Sequence, residues 1–150
     1  MTTPNQFVTL LASALMGFAL LGAAPPPTGE VTVALTGLRS AKGLVQICLT
    51  RDAQAFPDCR KDPDSRRLTL AAHEAGSFRF ATLPAGRYAV ALVHDENANG
   101  RADMALLLPR EGFGFSRDAA VSFGPPRFGK AAFAVGETEV NLPIRMRYLL

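Results

Sequence analysis

The residues of this chain whose types and spacing suit chemistry crowd into one stretch, His94 to Asp103. Oxygen-bearing side chains stand at Asp95, Asn97, Asn99 and Asp103, with Gly100 among them. This is the D-x-N-x-N-G-x-x-D spacing of a calcium loop. Its positions 1, 3 and 5 offer side-chain oxygens, position 6 needs glycine for a sharp turn, position 7 offers its carbonyl, and position 9 adds another oxygen. The ligand set read this way is Asp95, Asn97, Asn99, the carbonyl of Arg101, and Asp103. Hard oxygens suit Ca2+ better than zinc, which takes His or Cys. Position 12, where an EF-hand carries a bidentate glutamate, is Leu106, and the residues before the loop read as a strand, so a helix–loop–helix hand is not expected. The affinity expected of such a site is on the order of 10⁻⁴–10⁻³ M. A metal-free turn stays open beside this reading, because Asn99-Gly100 is a favoured hairpin dipeptide in its own right.

Acid–base chemistry has fewer residues to work with. His94 and Asp95, with Glu96 or Glu111 as a second carboxylate, are the candidates for a small hydrolase. Adjacent strand residues point to opposite faces, which argues against His94 and Asp95 as a dyad. Ser116 lies in Gly-Phe-Ser-Arg, without the second glycine of a nucleophile elbow. The leading expectation is therefore a non-enzymatic protein.

A third candidate region runs from Glu111 to Phe128. Phe113, Phe115, Phe123 and Phe128 stand among glycines and prolines, with Arg117 and Arg127 beside them. One reading makes them a binding rim for a glycan or peptide, with aromatic faces and guanidinium groups exposed. Alternatively, the rings close one end of the core in a chain that has no tryptophan.

The elements that must position these residues can be read along the chain. Its 150 residues allow one domain with a real core. No charged side chain precedes Glu30, and Phe7 to Ala24 is apolar and rich in Leu, Ala and Gly. Residues 1–24 read as a secretory signal peptide cut near Ala23, with retention as an anchor the alternative. An exported protein, periplasmic or extracellular, is expected, touching the membrane only through that segment if it is uncleaved. Residues 25–29 read as a stiff linker and residues 30–150 as the folded domain. Of the 16 basic residues 13 are arginines, and they are scattered and interrupted by aspartates, so nucleic-acid binding is not expected. In an exported chain the pair Cys48 and Cys59 argues for a disulfide.

Period-two alternation marks a strand over 30–38, and a nearly unbroken apolar run marks a central one over 44–49. Further strands are read over 68–71, 77–80 and 88–94, and a last one over 139–148. Leu83-Pro84-Ala85-Gly86 reads as a tight turn joining two of them. The stretch 109–130 has no sustained period, and 128–133 suits a helical turn. The pattern predicts an all-β, Ig-like or transthyretin-like sandwich of about seven strands.

The run Phe78-Arg79-Phe80-Ala81-Thr82-Leu83-Pro84-Ala85-Gly86-Arg87-Tyr88-Ala89-Val90 resembles the F-x-L-P-x-G-x-Y-x-V hairpin of transthyretin-like and collagen-adhesin-B-like sandwiches. Three further segments, 94–100, 109–116 and 123–133, resemble in this order a secreted bacterial family of uncharacterised proteins, domain of unknown function 2141. That resemblance implies an exported β-sandwich and brings no activity with it. The expected role is a binding or structural module of the cell envelope, steadied by Ca2+, with an envelope protein or a glycan as partner. The alternatives are the hydrolase of His94, Asp95 and Glu111, and a subunit that docks to a larger envelope complex through a sheet edge.

Overall fold

The computed structural model describes residues 24–100, 104–105 and 108–150. The expected signal peptide, apart from Ala24, and the loop residues Arg101 and Asp103 lie outside the described residues. The chain is the expected β-sandwich, with ten strands among the described residues rather than about seven. They are β1 (Thr28–Thr36), β2 (Leu44–Thr50), β3 (Arg66–Ala71), β4 (Ser77–Pro84), β5 (Gly86–Asp95), β6 (Met104–Ala105), β7 (Leu108–Pro109), β8 (Gly112–Phe115), β9 (Phe133–Val135) and β10 (Val140–Arg145). One sheet has the order β10-β1-β4; the other has the order β3-β2-β5-β8, with β9 pairing to the start of β5. β6 and β7 pair only with each other.

Alternation explains how the sheets face. Val31, Val33 and Leu35 of β1 and Leu142 and Ile144 of β10 point inward, against Val45, Ile47 and Leu49 of β2 and Val90 and Leu92 of β5. β1 and β10 run parallel, Val33 beside Leu142, and Pro143 sits on the outermost strand, where the missing N–H costs no ladder bond. The second sheet is apolar on its outer face too. Cys48, Ala89, Ala91, Phe113 and Phe115 form a separate cluster there with Phe56, Cys59 and Ala131. Residues 51–65 and 116–131 cover that cluster.

Two readings need correction. Leu83–Gly86 does not join a hairpin: β4 pairs with β1, whereas β5 pairs with β2, β8 and β9 in the other sheet. The turn crosses from sheet to sheet, so that Phe80 and Leu83 on one side and Tyr88 on the other all enter the same core. The aperiodic stretch also contains a strand, β8. Its Gly-Phe-Gly-Phe alternates, but the inward member is glycine, so a hydrophobicity pattern does not register it. A Cβ on Gly112 would lie 2.4 Å from the Tyr148 ring and one on Gly114 2.9 Å from Ile144, which shows how closely the last strand passes. The helical turn read over 128–133 is present as α1 (Phe128–Ala131).

Candidate functional site

The end of β5 carries the calcium-loop residues, and the alternation of the strand sets their surroundings. His94 and Asp95 are both fully buried, on opposite faces as strand geometry requires. His94 follows Val90 and Leu92 into the inner core. Asp95 turns to the outer side, where Gln46 of β2 donates its Nε2–H to Oδ2 at 3.2 Å. Gly43 makes this close approach feasible: its φ of 73° is one that L side chains rarely adopt, and a Cβ would lie 2.1 Å from the Asp95 carbonyl oxygen.

The carboxylate of Asp95 organises the loop behind it. Gly100 donates its backbone N–H to Oδ2 at 2.8 Å and Asn99 donates to Oδ1 at 3.2 Å. Asn97 closes a smaller turn, accepting the Asn99 N–H at 3.1 Å. Ala98 and Gly100 take the left-handed conformation, with φ of 54° and 72°. The chain thus wraps around a buried carboxylate while Asn97 and Asn99 stay at the surface. A carboxylate has about four lone-pair directions. On Asp95, hydrogen bonds from described residues take two on Oδ2 and one on Oδ1. Hard oxygens in such a loop fit a calcium ion in kind and in charge. Among the described residues no three His, Cys, Asp or Glu side chains come together as a metal cluster.

The structure separates the candidate acid–base residues. His94 Nε2 lies 2.8 Å from the Lys42 carbonyl, which can only accept, so Nε2 carries the proton. Nδ1 then accepts from the Tyr148 hydroxyl at 2.7 Å. Both ring nitrogens are therefore occupied, on the face away from Asp95. Glu111 is buried just before Gly112, the residue that pairs with His94, and Glu96 is engaged by Arg39 and Ser40. Arg39 donates to Glu96 through Nε at 2.9 Å and Nη2 at 2.5 Å, and Ser40 donates to its other oxygen at 2.7 Å. The Arg39 hydrogen bond, then that of Ser40, holds the Glu96 carboxyl below the usual carboxylate range. Its partner Arg39 is raised by the same bond. The Arg39 guanidinium also covers the Tyr148 ring at 4.4 Å, and burial pushes the Tyr148 hydroxyl up.

Local sequence carried no sign of this cluster of Arg39, Ser40, Glu96 and Tyr148 around His94. Its members come from the β1–β2 turn, the end of β5 and the chain terminus. Ser116 is a structural residue: fully buried, its hydroxyl donates to the Ala131 carbonyl at 2.7 Å and accepts the Val90 N–H at 2.9 Å.

The proposed rim divides. Phe113 and Phe115 are buried in the outer cluster, so they are not rim residues: β8 aims both at Ala91 and its neighbours. Phe128 is half-buried, edge-on to Phe56 at 6.0 Å. Phe123, Arg117 and Arg127 are exposed. The disulfide between Cys48 and Cys59 is present, with Cα atoms 5.7 Å apart, and it pins the 51–65 loop to β2. Between that loop and Gly100 lies a groove of about 940 Å³, floored by Gln46, Ala91, Val93 and Phe115 and edged by Arg60 and Arg67.

A solved pilus-presented adhesin (Cpa) shares 15% identity with this chain over 81% of it and 27% of the adhesin, with a TM-score of 0.34, too low to bear on the role of this protein. A comparison with curated proteins finds no match. The family described as "uncharacterized protein conserved in bacteria" (DUF2141) matches residues 33–142, from within β1 to within β10 and across the whole candidate site, and this chain belongs to it.

Proposed function

We propose that this protein is a non-enzymatic, exported module of the bacterial cell envelope whose Asp95–Asp103 loop takes up calcium, and that the loop so stiffened forms one wall of a ligand groove. The observation that carries this reading is the buried Asp95 carboxylate, which gathers the Asn99 and Gly100 N–H groups at the head of a loop whose sequence spaces further oxygens at Asn97, Asn99 and Asp103. The Cys48–Cys59 disulfide supports an oxidising compartment. The engagement of both His94 nitrogens by Tyr148 and Lys42 favours a structural histidine over a general base. Gly100 edges the groove, so ordering the loop would shape the surface that a glycan or an envelope protein meets.

The test is thermal unfolding in EDTA and then across a calcium titration to about ten times the millimolar upper affinity expected of extracellular modules, with magnesium as control. A ligand at a hundredfold excess over its dissociation constant stabilises the folded state by about 2.7 kcal/mol. A calcium-selective rise in midpoint that Asn97→Ala and Asp103→Ala each weaken is the expected result. A midpoint indifferent to calcium would reduce the loop to an Asn-Gly turn and sink the metal reading.

A further inference from the structure

Phe123 is fully exposed, at 109% of its reference area, and among the described residues the other exposed large apolar side chains are Leu149 and Leu150 near the end of the chain. An apolar medium that enclosed this ring would gain from its burial. The loop around it does not simply dangle. On one side Ser116 is bonded to the Ala131 carbonyl, and Ala119 and Val121 pack onto the outer cluster. On the other side Pro126 is buried and Phe128 packs against Phe56. Only Ser122 to Pro125 project, and two prolines stiffen the return.

The exposed charged residues that flank the tip from 119 to 136 are all basic. Arg117, Arg127 and Lys130 are exposed, and Arg117 is held over the end of α1 by its 3.2 Å hydrogen bond to the Ala132 carbonyl. No acidic residue occurs from 119 to 136. The nearest carboxylate in sequence, Asp118, is already paired with Arg147 at 2.5 Å. A ring exposed on all sides has no adjacent wall with which to cradle a sugar. It can be buried only by a medium or a pocket that closes around it, and the three exposed cations flanking it in sequence favour an anionic one.

We propose that the 119–130 loop is a membrane-docking tip, in which Phe123 enters the headgroup–acyl boundary of an anionic phospholipid surface while Arg117, Arg127 and Lys130 contact phosphates. This inference is independent of calcium binding. Each basic residue near such a surface contributes about a fivefold change in partition, and loss of the ring about tenfold or more.

Because the chain has no tryptophan, Phe123→Trp places a single reporter at the tip. The full chain carrying it is mixed with vesicles of phosphatidylglycerol and phosphatidylethanolamine, or of phosphatidylcholine alone. The expected result is a blue-shifted indole emission, quenched by brominated acyl chains, on the anionic vesicles only. Arg127→Glu with Lys130→Glu should abolish the shift. Asn141→Trp, on the exposed face of β10, should stay water-like, which separates tip insertion from any attachment through the apolar amino-terminal segment. An emission that stays water-like with both vesicle types overturns the proposal, as does one that shifts only when a purified envelope protein is added. Equal shifts on neutral and anionic vesicles also overturn it, because the cations would then be irrelevant.

Discussion

Two loops edge the same groove on the outer face of the second sheet, and they are held there by different physics. The 51–65 loop is closed by a covalent bond from Cys48 to Cys59 and by burial of Ala55 and Phe56. Three of its four aspartates, Asp52, Asp58 and Asp62, each accept the N–H two residues on and serve as local turn caps. The loop after β5 has no such staple. Its described part is gathered by one buried carboxylate, that of Asp95, which accepts two loop N–H groups and the Gln46 amide. A disulfide and an apolar plug do not depend on ionic conditions, whereas a loop built on a carboxylate would respond to a cation under the calcium reading proposed above. The contrast marks the second loop as the adjustable wall of the groove.

The largest expected effect comes from removing the organiser. Asp95→Ala should cost about 3 kcal/mol in denaturant unfolding, because it removes a fully buried carboxylate together with the three hydrogen bonds that it accepts. A loss under about 1 kcal/mol would mean that the carboxylate does not hold the loop. Cys48→Ala with Cys59→Ala should cost roughly 2–3 kcal/mol. It should also make residues 51–65 the first site of protease cleavage while the Asp95 loop stays protected. Cleavage appearing in both loops together would show that they are one cooperative unit. A smaller cost, about 1 kcal/mol, is expected of Thr50→Val, since the buried Thr50 hydroxyl donates to Asp62 at 2.5 Å and accepts the Asp52 N–H.

The smallest effect should come from acid. Glu96 titrates below its ordinary value when folded, so its ionised form stabilises the fold at neutral pH, and that contribution is lost as the pH falls below about 4.3. Glu96→Gln should flatten the acid limb of the stability curve in that window and leave the neutral region nearly unchanged, because Arg39 and Glu96 are both partly solvated. An unchanged acid limb would remove the Arg39–Glu96 pair from the account.

Much of the sandwich was legible from alternation in β1, β2 and the last strand, because there the inward residues are large and apolar and the outward ones polar. β8 was not, since its inward residues are glycines and the apolar pattern points outward to a second cluster. Leu83–Gly86 was recognised as a turn, but a turn signal specifies a change of direction and not which sheet receives the next strand. The rim reading failed at Phe113 and Phe115 for a related reason: aromatic residues between glycines look the same in sequence whether they close a core or open a site.

The amino-acid sequence by itself determined the family, the sandwich class, the pairing of its two cysteines and the spacing of oxygens after β5, because each depends on residue type and local period. Only the tertiary structure decided that Asp95 faces outward to Gln46 while His94 faces inward to Tyr148. It alone gathered Arg39, Glu96 and Tyr148 from three distant segments, and left Phe123 bare among cations. Those outcomes depend on which strands lie side by side, and long-range pairing is a property of the whole chain's packing that no local pattern encodes.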